Sequence, residues 1–234
     1  MIYEYSYLLV SILLLFIWLI LFFWRKDVKK EMVFMSLIFG FLGFFLGLIY
    51  TLDWWHPLTI TKTIIGIEDF IFGFSLGGVS AVIYEEVFKK RVHIRKTRKN
   101  IEKKRNRNFL FLFSFSLFLF LLSFYVIRLN SFYSSIIGIL TPLLLILIKR
   151  KDLLFDSLVS GFLLLIIALL GTNIIELITP GWVKATWYFN NLSGIIILKL
   201  PLEDIIWFFL SGAFIGPLYE YWREGKLIRI KKIN

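Results

Sequence analysis

The sequence predicts an all-α protein of the membrane, a polytopic helix bundle of about seven transmembrane helices. Three observations carry that prediction. Mean hydropathy is +0.80, with 59% hydrophobic residues and 26 Phe in 234 residues, far above a soluble domain. Several apolar runs reach the roughly 18 to 20 residues that a bilayer requires. And one polar signature inside such a run occurs twice at a constant offset of 135. In Pro201 to Trp222, PLEDIIWFFLSGAFIGPLYEYW, the marks are Glu203, Asp204, Gly212, Tyr219 and Glu220. In Gly66 to Val87, GIEDFIFGFSLGGVSAVIYEEV, they are Glu68, Asp69, Gly77, Tyr84 and Glu85.

Span 1 is Tyr7 to Trp24, followed by Arg25, Lys26, Lys29 and Lys30. A secretory signal carries positive charge before its apolar region and a small-residue cleavage site after it, so this segment is expected to stay attached. Span 2, Met32 to Tyr50, holds Gly43 and Gly47, a small-xxx-small pair suited to close helix packing. Trp54 and Trp55 then read as an interfacial belt, and His56 beside Pro57 as a solvated loop histidine. Span 3 begins near Ile64. Lys89 to Asn108, with eleven Lys or Arg, reads as a helical or frayed loop on the membrane surface, an anchor for anionic lipid. No aromatic residue interrupts its basic run to stack on a base, so nucleic acid is not an expected partner.

Span 4, Phe109 to Arg128, is Phe- and Leu-rich on all sides and reads as lipid-exposed or as a linker. Spans 5 and 6 run from Phe132 to Ile148 and from Leu153 to Gly171. Pro142 is placed to kink the first, and Asp156, just inside the second, is expected to turn toward the neighbouring basic loop. Thr172 to Leu200 is the longest segment between spans. Its β-branched run Gly194 to Leu200 leads into Pro201 as Leu58 to Ile65 leads into span 3, each an extended lid or a re-entrant piece. Three units follow: residues 1-88 as a first three-helix repeat, 89-131 as basic loop and linking span, 132-234 as a second repeat. The repeats share one orientation, which two three-span units require a linking span to achieve.

The chemistry must come from carboxylates. There is no cysteine and only two histidines, His56 and His93, so thiol chemistry, disulfides and a Cys- or His-based metal site are not expected. No metal and no cofactor is expected, and the Gly-x-Gly-x-x-Gly dinucleotide fingerprint does not occur. Acids in the first turn, after Pro201, also suit an ordinary helix start. Their register argues for more: Glu203 shares a face with Trp207, Leu210 and Phe214, and Glu68 with Phe72. A carboxylic acid in low dielectric keeps its proton and can donate it, and an aromatic face beside it can hold the resulting cation. Tyr84 and Tyr219 fall near the opposite interface, too far to act on the same atom.

At these residues the chain resembles the lycopene cyclase domain of the heterodimeric and fused fungal-archaeal type. That family has paired three-helix membrane units with a Pro-x-Glu-Glu motif opening a Phe-rich span. The matching stretches are PLEDIIWFF from Pro201 and GIEDFIFGF from Gly66, with TWYFNNLSGIIILKL upstream. The second acid is Asp in both copies, and Gly66 stands where the motif has Pro. The resemblance implies acid-initiated ring closure of a linear carotenoid or related isoprenoid end group, without net redox. Glu68 and Glu203 are then the acid candidates, Asp69 and Asp204 their partners, and Phe72, Trp207 and Phe214 the substrate-facing aromatics. The competing class is a non-enzymatic membrane protein, a proton-coupled carrier or a helical scaffold.

Charge bias sets the expected topology in the cell membrane. With Arg25 to Lys30, Lys89 to Arg107, Lys149 to Lys151 and Arg223 to Lys232 cytoplasmic, 23 of 27 basic residues lie inside, the amino terminus lies outside and the carboxyl terminus inside. A reporter fused after Asn234 is expected to read cytoplasmic, and a label within Gly181 to Asn191 external. An external Lys89 to Asn108 segment would sink the seven-span arrangement.

Overall fold

The structure, a computed structural model, describes residues 3–94 and 99–229. Seven helical segments are long and apolar enough to cross a membrane. They are α1 (Ser6–Trp24), α2 (Lys29–Asp53), α3 (Ile67–Val87), α4 (Lys99–Leu121, continued by a π-helical turn over Leu122–Val126), α5 (Ser131–Lys149), α6 (Leu154–Ile178, led by a 3₁₀ turn) and α8 (Leu202–Ile215) continued by α9 (Leu218–Arg223). The short α7 (Trp182–Thr186) lies between α6 and α8. Short strands complete the chain: β1 (Lys90–His93) pairs antiparallel with β4 (Lys226–Arg229), and β2 (Ile196–Ile197) with β3 (Leu200–Pro201).

The spans bearing the repeated signature are the most enclosed: 72% of the 18-residue apolar stretch of α3 and 56% of that of the α8–α9 segment are buried, against 22% in the span of α4. Glycine makes this possible. A Cβ on Gly77 would sit 2.6 Å from the Phe39 Cβ and 2.9 Å from the Met35 carbonyl oxygen, and one on Gly212 would sit 2.7 Å from the Ser160 carbonyl oxygen and 2.9 Å from the Leu164 Cβ. Backbones therefore touch where α3 crosses α2 and where α8 crosses α6, the geometry that small residues permit between membrane helices.

These contacts also align the two halves. Met35 and Phe39 stand to Ser160 and Leu164 at an offset of 125, while Gly77 and Gly212 differ by 135. The ten extra residues lie between α6 and α8, where the second half carries α7 and the β2–β3 hairpin. Side-chain chemistry obeys the same two offsets. Arg25 forks onto Asp27 through Nε and Nη2, at 2.8 and 2.9 Å, and donates through Nη1 to the Glu85 carbonyl and through Nη2 to the Lys90 carbonyl. Arg150 forks onto Asp152, at 2.8 and 2.7 Å, and donates to the Glu220 and Gly225 carbonyls. The Arg25 guanidinium holds the Asp27 carboxyl below its ordinary range. β1 and β4 begin beside those carbonyls and pair antiparallel with each other.

Several expectations change. Of the two forms expected for the basic segment, Lys99 to Asn108 takes the helical one, as the first turns of α4, with Arg105 buried and donating to the Arg223 carbonyl at 2.8 Å. Residues 89 to 94 form a turn and β1, while Arg95, Lys96 and Arg98 lie outside the described residues. α6 runs two turns past Gly171. Pro142 is accommodated inside an unbroken α5, whereas the last span breaks at Gly216 and Pro217. Asp156 does not turn outward; it is 3% exposed and accepts from Ser160 Oγ.

Gly77→Leu and Gly212→Leu are each expected to cost about 1–3 kcal/mol through overpacking, with a matching loss of folded yield. Unchanged thermal unfolding in detergent for both variants would place these glycines against lipid.

Candidate active site

At the end of the bundle where α3 and α8 begin, the helices enclose one apolar cavity with about 1330 Å³ between its walls, counting the space at its mouth. Asp69 from the first half and Asp204 from the second both line it. The two repeated acids therefore converge on a single chamber instead of capping separate surfaces. Of the aromatic residues expected to face substrate, Phe72, Trp207 and Phe214 are all in the wall.

The roof is built from the loops after α2 and α7. Trp55 and Trp187 form a β-bridge, His56 N donates to the Thr186 carbonyl at 2.8 Å, and Tyr188 N to the Trp54 carbonyl at 2.9 Å. This clasp brings indoles inward. Trp54 packs edge-on to Trp207 at 5.8 Å, Tyr7 to Trp55 at 4.8 Å and Trp182 to Trp187 at 5.3 Å. Trp54, 2% exposed, is thus a wall of the chamber, not part of an interfacial belt. His56 stacks on Tyr188 at 4.0 Å behind the wall, and burial lowers its pKa.

Each acid has its own donors. Asp69 Oδ1 accepts from the Tyr7 hydroxyl at 2.9 Å and Oδ2 from the Gly66 N–H at 2.8 Å. Asp204 Oδ2 accepts from the Trp187 indole N–H at 2.7 Å. The departure at Gly66 now has a physical reason. A proline there would remove the N–H that Asp69 uses, and any Cβ would run into the Glu68 carboxylate. Pro201 can keep its ring because Asp204 is served from elsewhere.

Glu68 and Glu203 point away from the chamber. Glu68 Oε1 accepts from Ile60 N, and Glu203 Oε1 from Ser193 N, each at 2.6 Å. Each Glu thereby ties the loop that precedes its helix to the first turn, and each has a second, buried oxygen with no hydrogen-bond partner among the described residues. Of the two loops, Leu58 to Ile65 turns through Thr59 and Thr63, while the second forms the β2–β3 hairpin, exposed at Ile195 to Leu198 with Leu200 reaching the cavity.

Tyr7 and Trp187, the donors to the acids, were not singled out by sequence reasoning as site residues. Their signal was weak: an aromatic at the first turn of a span and one among several loop tryptophans.

A family model described as Lycopene cyclase matches residues 4–87 and 130–222. The chain belongs to the lycopene cyclase family. The matched stretches leave out α4 and the basic segment before it, and they contain both acid pairs and every aromatic named above. No curated protein and no solved structure matches the chain. Membership accounts for an apolar, aromatic chamber in a multi-pass membrane protein, since the family's isoprenoid substrates are apolar.

Tyr7→Phe and Trp187→Phe each take a donor from a buried carboxylate and are expected to cost about 1–3 kcal/mol. Thermal unfolding of each purified variant checks this, and melting equal to wild type in both would show that these bonds are not made.

Proposed function

We propose that this protein closes rings at the ends of a linear carotenoid or related isoprenoid by acid catalysis, within the chamber shared by Asp69 and Asp204. The observation that supports this most is convergence: one carboxyl from each half enters one apolar, indole-lined space. Both aspartates reach that space, so they take the acid and base positions, and Glu68 and Glu203 hold the adjoining loops in place behind them.

The steps balance without redox chemistry. A carboxylic acid transfers its proton to a terminal carbon–carbon double bond, forming a C–H bond and leaving a tertiary cation. A neighbouring double bond attacks that cation, forming the ring's C–C bond and moving the positive charge into the ring. A carboxylate then removes an adjacent proton, restoring a double bond, so product and substrate are isomers. Trp54, Trp187 and Trp207 line this space and supply π-systems that can stabilise the cation, and the apolar wall limits the water that would trap it.

Expressed in cells that accumulate a linear carotenoid, the protein is expected to convert it to a product of unchanged mass that absorbs at shorter wavelength. Asp69→Asn and Asp204→Asn keep shape and remove the transferable proton, and the more important of the two is expected to lower conversion about 10²–10⁴-fold. Glu68→Gln and Glu203→Gln keep an oxygen for Ile60 N and Ser193 N and are expected to act less. Full conversion by both Asn variants would remove the aspartates from the chemistry. Several linear carotenoids left untouched by wild type would remove the reaction, since a shared fold does not guarantee a shared activity.

A further inference from the structure

The other half of the repeated signature lies at the opposite end of the bundle, about 24 Å along α3 from Asp69 at 1.5 Å per residue. Glu85 and Glu220, equivalent at offset 135, meet there with Glu31, and carboxylate oxygens of the three lie within 4.8 Å of one another. Asp156, equivalent to Glu31 at offset 125, lies close enough for its charge to act on all three. Each half thus supplies an acid from the third residue of its second long helix, α2 or α6, and one from the end of its last span. All four are buried, at 3% exposure or less.

Most oxygens of these carboxylates are left without donors. Both oxygens of Glu85, both of Glu220, Glu31 Oε1 and Asp156 Oδ2 have no hydrogen-bond partner among the described residues. The nearby guanidiniums do not supply one. A guanidinium has five N–H groups, and Arg25 commits all five to Asp27, Glu86 and two backbone carbonyls. Arg150 serves Asp152 and two carbonyls. Lys90 Nζ donates to the Tyr84 hydroxyl at 2.6 Å. None of these cations donates to a side-chain oxygen of Glu85 or Glu220.

We infer that Glu31, Glu85 and Glu220, with Asp156 beside them, bind one hard divalent cation that clamps the two halves together at this end of the bundle. The donor set is all oxygen, which suits Mg²⁺, Mn²⁺ or Ca²⁺ and not a thiolate- or imidazole-seeking metal. The spread fits one ion, because two oxygens on opposite sides of a cation lie about 4.2 Å apart for Mg²⁺ and about 4.8 Å for Ca²⁺. The ligands come from α2, α3 and α9, with α6 adjoining, so the ion joins elements of both halves. This role is separate from the chemistry proposed at the other end and stands without it.

The test uses full-length protein purified in detergent with EDTA from lysis onward, then incubated with Mn²⁺, Mg²⁺ or Ca²⁺ and desalted. About one Mn²⁺ per chain is expected by elemental analysis, with an unfolding temperature that rises as the logarithm of ion concentration. Glu85→Gln combined with Glu220→Gln is expected to abolish both. Asp156→Asn, which leaves the three glutamates in place, is expected to lower Mn²⁺ affinity about 10-fold at unchanged folded yield. No retained ion and no shift in unfolding for wild type would overturn the inference. So would Mn²⁺ retention at wild-type affinity in both Asp156→Asn and the double variant, which would place the ion elsewhere, or glutamine variants that melt higher than wild type at every ion concentration, which would show a cluster held by protons.

Discussion

Direct backbone contact between α2 and α3, and between α6 and α8, is the constraint on which both ends of this bundle depend. Lipid gives helices no hydrophobic reason to associate, so close van der Waals contact must supply much of the attraction. Glycine permits it here. A Cβ on Gly43 would stand 3.3 Å from the Gly73 Cα, and one on Gly212 2.9 Å from the Gly161 Cα, closer than ordinary side-chain contact. The same crossings deliver the acids: Gly47 lies against Asp69, where a Cβ would stand 3.1 Å from Oδ1. At the other end they bring Glu31 to Glu85. A looser crossing would open the chamber to lipid and spread the cluster apart.

Much of the architecture was legible because membrane spans declare themselves by composition. The duplicated signature also announced itself, since ionisable residues are rare in spans and their recurrence at one offset is hard to produce by chance. Boundaries were less legible where a helix outruns the bilayer. Lys99 to Asn108 left helix and frayed loop both open because it is too polar to insert; nothing in its sequence stops the helix that continues it, and the carbonyl of Arg223 gives Arg105 a buried partner. Asp156 misled for a related reason: one acid near a boundary normally turns to water, and only the fold shows three others waiting for it.

The distinction between neighbouring acids was beyond sequence reasoning altogether. Glu68 and Asp69, or Glu203 and Asp204, differ by 100° around a helix, and the aromatic register favoured the glutamates. What decides their direction is the loop before each helix, whose backbone N–H groups at Ile60 and Ser193 engage the longer side chain and leave the shorter one facing inward. Loop conformation of that kind depends on tertiary contacts, here the clasp between the Trp54 to His56 segment and the Thr186 to Tyr188 segment.

The unequal donors to the two aspartates make the chamber asymmetric. The residue equivalent to Tyr7 at offset 125 is Phe132, which has no hydroxyl to offer, and Asp204 relies on an indole carried by the half that holds the ten extra residues. Asp69 relies on an N–H that Pro201 could not provide in its place. Each half thus holds its aspartate with a donor that the other half does not offer. Neither half could therefore stand in for the other at its aspartate: the two acids of the chamber are held by different means and are not interchangeable.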